Sequence, residues 1–144
     1  MAAAGLVLFL GTVVTSSGPH GGDENAERLD FALREVARLH GLAAVVFLVL
    51  TLVTLWRLWK AKASPRTLRR GEIVLAVSVA QAAIGYAQYF TGVPALLVGF
   101  HIFGAVAVWI ATLRFWLSFG AAARPGPAAV GDAVLAPASE RSRA

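Results

Sequence analysis

The sequence predicts an all-α membrane protein: a four-helix transmembrane bundle whose first helix is short or truncated and whose C-terminal tail is disordered. Three observations lead there. Of 144 residues, 58% are hydrophobic and 15% charged, against about a quarter charged in a soluble domain. Three apolar runs are each long enough to cross about 30 Å of hydrocarbon. The basic residues, which outweigh the acids to give a net charge of +5, gather in short stretches beside those runs. That is the pattern of membrane topology, not of a nucleic-acid surface. The length allows one domain, residues 1–120, followed by a tail over 121–144. With no cysteine, a disulfide framework, a thiolate metal centre and covalent haem attachment are all excluded.

The opening segment, Ala2 to Val14, reaches only about 20 Å as a helix. A signal peptide is one reading, but no basic residue precedes it, and Val13-Val14-Thr15-Ser16 is a poor cleavage site. The favoured reading is a transmembrane helix that begins upstream of Met1. The first full run is Leu39 to Trp56, continuing to Trp59 past Arg57, whose long side chain is expected to snorkel to the surface. Ahead of it, Asp30 to His40 has helical spacing, with Leu33, Ala37 and His40 on one face and Asp30 as the expected N-cap. This helix therefore starts outside the membrane and runs in past His40. The other runs are Ile73 to Phe90 and Pro94 to Leu113, each apolar nearly all round. From Ala121 the chain is rich in Ala, Pro, Gly and Ser and reads as disordered.

Loop charges give an orientation. Ser16 to Arg38 holds five acids and three arginines, whereas Arg57 to Gly71 holds six basic residues and no acid. The positive-inside rule puts the second loop in the cytoplasm. The chain is then a multi-pass protein of the cell membrane with both termini cytoplasmic, and Arg114 and Arg124 agree. The acidic loop and the Thr91-Gly92-Val93-Pro94 turn face outside. Trp56, Trp59 and Trp116 mark the inner interface, and Tyr86, Tyr89 and Phe90 lie toward the outer one.

His101 is the sharpest chemical feature. An ionisable residue seven positions into an otherwise uncharged span is a functional hypothesis by default. Gly104 and Ala105, at i+3 and i+4, leave room there for a flat macrocycle. The competing reading is a neutral imidazole bonded to a neighbouring helix, with Gly104 serving close packing. His40, taken alone, is a solvated histidine at a helix end, followed by small residues at Gly41, Ala43 and Ala44. Together the two histidines lie in the outer leaflet on different helices, and haem iron takes imidazoles from opposite sides in this way. If both helices stood upright, His101 would lie about two turns, or about 10 Å, deeper than His40, and tilt would have to absorb the difference.

Several other residues bear on this reading. Arg34 and Arg38 precede His40 within two turns and suit haem propionates, or equally the carboxylates outside. His20, in a glycine-rich turn, reads as an exposed loop residue more than as a lid. Gln81, Gly85 and Gln88 share one helix face and read as interhelical packing and hydrogen bonding. Between Leu39 and Leu113 the only acid is Glu72, at the cytoplasmic end. With no carboxylate near the histidines, proton-coupled chemistry there is poorly served. The pair suits a cofactor holder.

The segments Gly11 to Asp23, Arg34 to His40 and Gln81 to His101 resemble the C-terminal half of bacterial haem A synthase in its actinobacterial form. The likeness spans about Gly5 to Ser118, although that family has Gly at the position of Ser16 and Ala at that of Gly21. The resemblance implies an enzyme of eight membrane helices in two similar halves. It would oxidise a methyl group of haem O to the formyl group of haem A for cytochrome c oxidase. It further implies a haem b held in the C-terminal half by two histidines, at His40 and His101 here. The N-terminal half, with its own histidine pair and a glutamate, would be where haem O reacts, and it is not part of this sequence. The implied partners are haem O, haem O synthase and cytochrome c oxidase. The alternative is a stand-alone b-type cytochrome or haem-binding module without turnover.

Overall fold

The computed structural model of the protein describes residues 1–19 and 27–122. Among them run four helices and no strand: α1 (Ala2–Ser17), α2 (Leu33–Lys60), α3 (Pro65–Phe90) and α4 (Ala95–Ala122). The last three are long and apolar enough to cross a membrane. The 16 residues of α1 extend about 24 Å, longer than the apolar run alone and still short of the hydrocarbon thickness.

The helix ends differ instructively from the sequence expectation. Asp30 does not cap α2. Its N-cap is Ala32, which makes no side-chain cap bond, and the amides of Glu35 and Val36 donate to the Ala32 carbonyl. α3 begins inside the basic stretch, eight residues before Ile73. There Ser64 accepts a hydrogen bond from the Thr67 amide at 3.2 Å and Pro65 takes the first helical position, where its missing N–H costs nothing. α4 runs past Leu113 to Ala122, so Ala121 and Ala122 are helical where a disordered tail was expected. The rest of that tail, 123–144, lies outside the described residues.

Short connections make the helices antiparallel neighbours. α2 ends in a Schellman motif: Ala63 donates to the Leu58 carbonyl and Lys62 to that of Trp59, with Lys62 in the left-handed region at φ 52°. The expected Thr91–Pro94 turn closes α3 in a related way. Val93 donates to the Gln88 carbonyl at 2.7 Å, and Gly92 takes φ 80°, a conformation open to glycine at little cost. Between α1 and α2, the Leu29 amide reaches back to the Ser16 carbonyl, and Arg28 donates to the carbonyls of Gly18 and Pro19.

The most extensive contacts join α3 to α4 and α1 to α2, with α2 against α3 tying the pairs together and α1 meeting α4 only lightly. The core is thin: Ala4, Phe47, Val74, Val108, Ala111 and Phe115. At the end near the α2–α3 connection Gly71 lets three helices meet, with Leu55 of α2 and Phe115 of α4 both against its Cα face. Outward side chains stay bare, with Phe90, Phe103 and Leu96 each more than 70% exposed. In water this would be a severe liability, and in hydrocarbon it is the lipid contact surface. The buried Thr51, Thr112 and Ser118 return their hydroxyls to carbonyls of their own helices, which satisfies them without a partner helix.

Candidate functional site

His40 and His101 meet between helices. Their ring centroids lie 6.2 Å apart with the ring planes at 83°. The depth mismatch expected for upright helices is not seen, since the two rings stand side by side. His40 is the eighth residue of α2 and His101 the seventh of α4. Both rings sit about two turns in from helix ends at the same side of the bundle.

Each imidazole is seated against a glycine on a neighbouring helix. A Cβ added to Gly11 of α1 would stand 3.3 Å from His40 Cε1, and one added to Gly85 of α3 would stand 3.1 Å from His101 Cε1. The missing side chain at Gly11 also lets His40 reach the backbone one turn earlier, where its Nδ1 lies 3.1 Å from the Val7 carbonyl. A carbonyl can only accept, so Nδ1 carries the proton in that contact and Nε2 keeps a free lone pair. This tautomer and second contact are what a metal-ligating histidine uses.

His101 is held differently. Its Nδ1 is buried without a hydrogen-bond partner, as are Gln81 Oε1, Gln88 Oε1 and Ser78 Oγ. These four polar atoms belong to the α3–α4 seam: Gln81 and Gln88 flank Gly85 by one turn on either side. Gly104 does not provide an open notch for a macrocycle, because the Gln81 carboxamide lies directly against it. Gln81 needs the space, and the packing role considered for Gly104 is the one observed. Gly41, by contrast, faces open space within 4 Å.

Among the described residues, no group of three His, Cys, Asp or Glu side chains comes together. Two imidazoles alone do not complete a tetrahedral or octahedral metal site. They do complete a site when a macrocycle brings four nitrogens of its own. A first-row metal held at about 2.0–2.1 Å from each of two imidazole nitrogens, with each ring centre about 1.1 Å behind its nitrogen, separates the centroids by about 6.3 Å. The observed 6.2 Å between ring centroids is close to that length.

The other expected site residues lie apart from the pair. Arg38 is exposed and bonded to Glu35 at 2.8 Å, one turn back on its own helix, and Arg34 is exposed as well. Their proposed carboxylate partner on the protein is therefore realised at Arg38. His20 lies outside the described residues. The contribution that sequence reasoning missed is that of α1, through Val7 and Gly11. A backbone carbonyl leaves no mark in a sequence, and Gly11 is an ordinary glycine until the fold sets His40 beside it.

In comparisons with known proteins, no protein-family model, curated protein or solved structure matches this chain.

Proposed function

We propose that this chain is a haem-binding membrane domain in which His40 and His101 would hold the iron of a b-type haem, and that it serves as the haem b-binding half of a haem A synthase. The observation that carries the haem reading is the pair itself: two imidazoles from separate spans at a two-ligand spacing, one with its Nδ1 proton already directed at Val7. A bound haem supplies one-electron transfer. His40 is oriented by the Val7 carbonyl and Gly11, and His101 by the face of Gly85. The apolar helices around them exclude water and lower the dielectric at the pair.

The assignment to haem A synthase rests on the resemblance in sequence alone. In that reading the oxidation of haem O would belong to a separate half carrying its own histidines, and the haem held by His40 and His101 would supply one-electron transfer beside it. Haem O synthase and cytochrome c oxidase would be its neighbours in the biosynthetic and assembly steps. A second reading, a b-type cytochrome without turnover, is favoured by one specific feature. Among the described residues the only acid from Leu39 to Leu113 is Glu72, on the second turn of α3 at the end of the bundle away from the histidines, so the spans themselves bring no carboxylate to the pair.

The test is to express the chain with haem available, purify it in detergent and record the reduced and oxidised visible spectra. A low-spin six-coordinate haem at one per chain is expected, lost or converted to high spin in His40→Ala and in His101→Ala. A colourless preparation, or variants that keep the wild-type spectrum, would remove the reading. If haem binds, co-purification of a second chain or segment carrying further helices and a glutamate separates the synthase reading from the cytochrome.

A further inference from the structure

The end of the bundle opposite the histidines carries an unusual concentration of unpaired cations. Arg66, Arg69 and Arg70 occupy the first two turns of α3, with Arg66 and Arg70 on one face at i and i+4. Arg70 does not turn away to solvent. Its Nη1 donates to the backbone carbonyl of Arg114 at 3.2 Å, which sets one guanidinium against α4 at the residue that bears another. Among the described residues the only ion pair is Arg38–Glu35, near the other end of the molecule. Glu72, the sole acid between Arg57 and Arg114, pairs with none of these arginines.

Topology alone requires positive charge in this loop, not a guanidinium laid against the backbone of a neighbouring helix at another arginine. A cluster of like charges that outnumbers its acids is favoured when an anion joins it. The depth of the patch identifies the anion's source. Trp56, Trp59 and Trp116 are each more than half exposed around the same end of the bundle, and the Lys60 ammonium lies 5.9 Å from the ring centres of both Trp56 and Trp59. Exposed indoles beside apolar spans sit at headgroup level, so the guanidinium groups stand where phospholipid phosphates are. Arginine is the side chain suited to holding a phosphate through two parallel N–H bonds.

We propose that the foot of α3 and α4 is a binding site for the phosphate of an anionic phospholipid, held by Arg66, Arg70 and Arg114 with Arg69 adjacent. The site is independent of the histidine pair and of whatever that pair binds. Native mass spectrometry of the full chain released from nanodiscs of mixed phosphatidylglycerol and phosphatidylcholine tests it, with a lipid titration read by thermal unfolding in detergent. Wild type should retain one phosphatidylglycerol in preference to phosphatidylcholine, and phosphatidylglycerol should raise the unfolding midpoint. Arg70→Gln with Arg114→Gln should weaken retention at least tenfold, whereas Lys60→Gln with Lys62→Gln, the same loss of charge, should change it less than twofold. Should the arginine double variant fail to fold, Arg66→Gln, exposed and away from the α4 contact, should still weaken retention severalfold. Equal losses in the arginine and lysine variants would overturn the proposal in favour of diffuse charge attraction. So would equal retention of the two lipids, or displacement by inorganic phosphate at the concentration of lipid that saturates.

Discussion

Gly85 offers the most discriminating perturbation, because it separates the folding of the bundle from the geometry of the histidine pair. A methyl group at Gly85 would lie 3.1 Å from His101 Cε1, 3.7 Å from Nδ1 and 3.8 Å from Nε2. The first of these is a few tenths of an ångström inside ordinary contact, so in Gly85→Ala the ring must retreat by that much. Metal–ligand distances tolerate about 0.2 Å, which makes alanine a marginal case. Valine adds carbons about 1.5 Å farther out and drives the ring well past tolerance. Helix propensity works in the opposite direction, since Gly→Ala in a helix interior stabilises by about 0.8–1 kcal/mol. The expected result is therefore a split. Gly85→Ala should unfold at or above the wild-type temperature while binding haem about tenfold more weakly, near 1.4 kcal/mol. Gly85→Val should still insert and remain helical but carry a five-coordinate high-spin haem through His40 alone. Circular dichroism in detergent reads the fold, and visible absorption with electron paramagnetic resonance reads the ligands. A Gly85→Val protein with the wild-type low-spin spectrum at full occupancy would refute the idea that this glycine positions His101.

Two further substitutions probe how the bundle is joined. Gly71→Ala would place a Cβ 2.6 Å from Leu55 Cδ2 and 3.0 Å from Phe115 Cζ; overpacking of this kind costs about 1–3 kcal/mol, and a lowered midpoint in thermal unfolding is expected although alanine is the better helix former. Ser64→Ala removes the cap that accepts from the Thr67 amide and should cost about 1 kcal/mol, measurable as the same kind of shift, with the haem spectrum unchanged because the cap lies at the far end of α3.

The fold was largely legible because hydrocarbon imposes a simple demand, that every backbone group bond within its own helix. The three spans and the turn at Gly92 follow from that demand and from one glycine in the left-handed region. The helix ends were less legible, for local reasons that can be named. Ser64-Pro65 is a helix start, but it lies among arginines that read as loop. Asp30 has the chemistry of a cap, yet the chain turns helical only after Ala32. Of the candidate site, His101 declared itself by its cost in lipid, and His40 only in its company. The outward extension of α2 through residues 33–38 was legible in its helical spacing, but that it brings His40 level with His101 was not, because the relative placement of two helices leaves no mark in either one. The carbonyl of Val7 could not have been read from any residue type.

The same accounting of polar groups explains why the histidine end matters more than an ordinary buried contact. Elsewhere in the spans the chain answers its own polar demand: Thr51 and Thr112 bond to their own helices, and α2 and α3 close with their own carbonyls. Along the α3–α4 seam it does not, since Ser78, Gln81, Gln88 and His101 each bury a polar atom that no described group satisfies. Such groups are costly in a low-dielectric interior, and here they fall along one seam. His40, satisfied through Val7, needs nothing further to be held. His101 is placed by shape alone, by Gly85 on one side and by the helix that carries it. A ligand taken between the rings would therefore meet one ring fixed by a hydrogen bond on the α1–α2 side and one held by contact alone on the α3–α4 side. Those are also the two most extensively packed pairs of the bundle, and the histidine pair is a point at which the α1–α2 and α3–α4 sides meet.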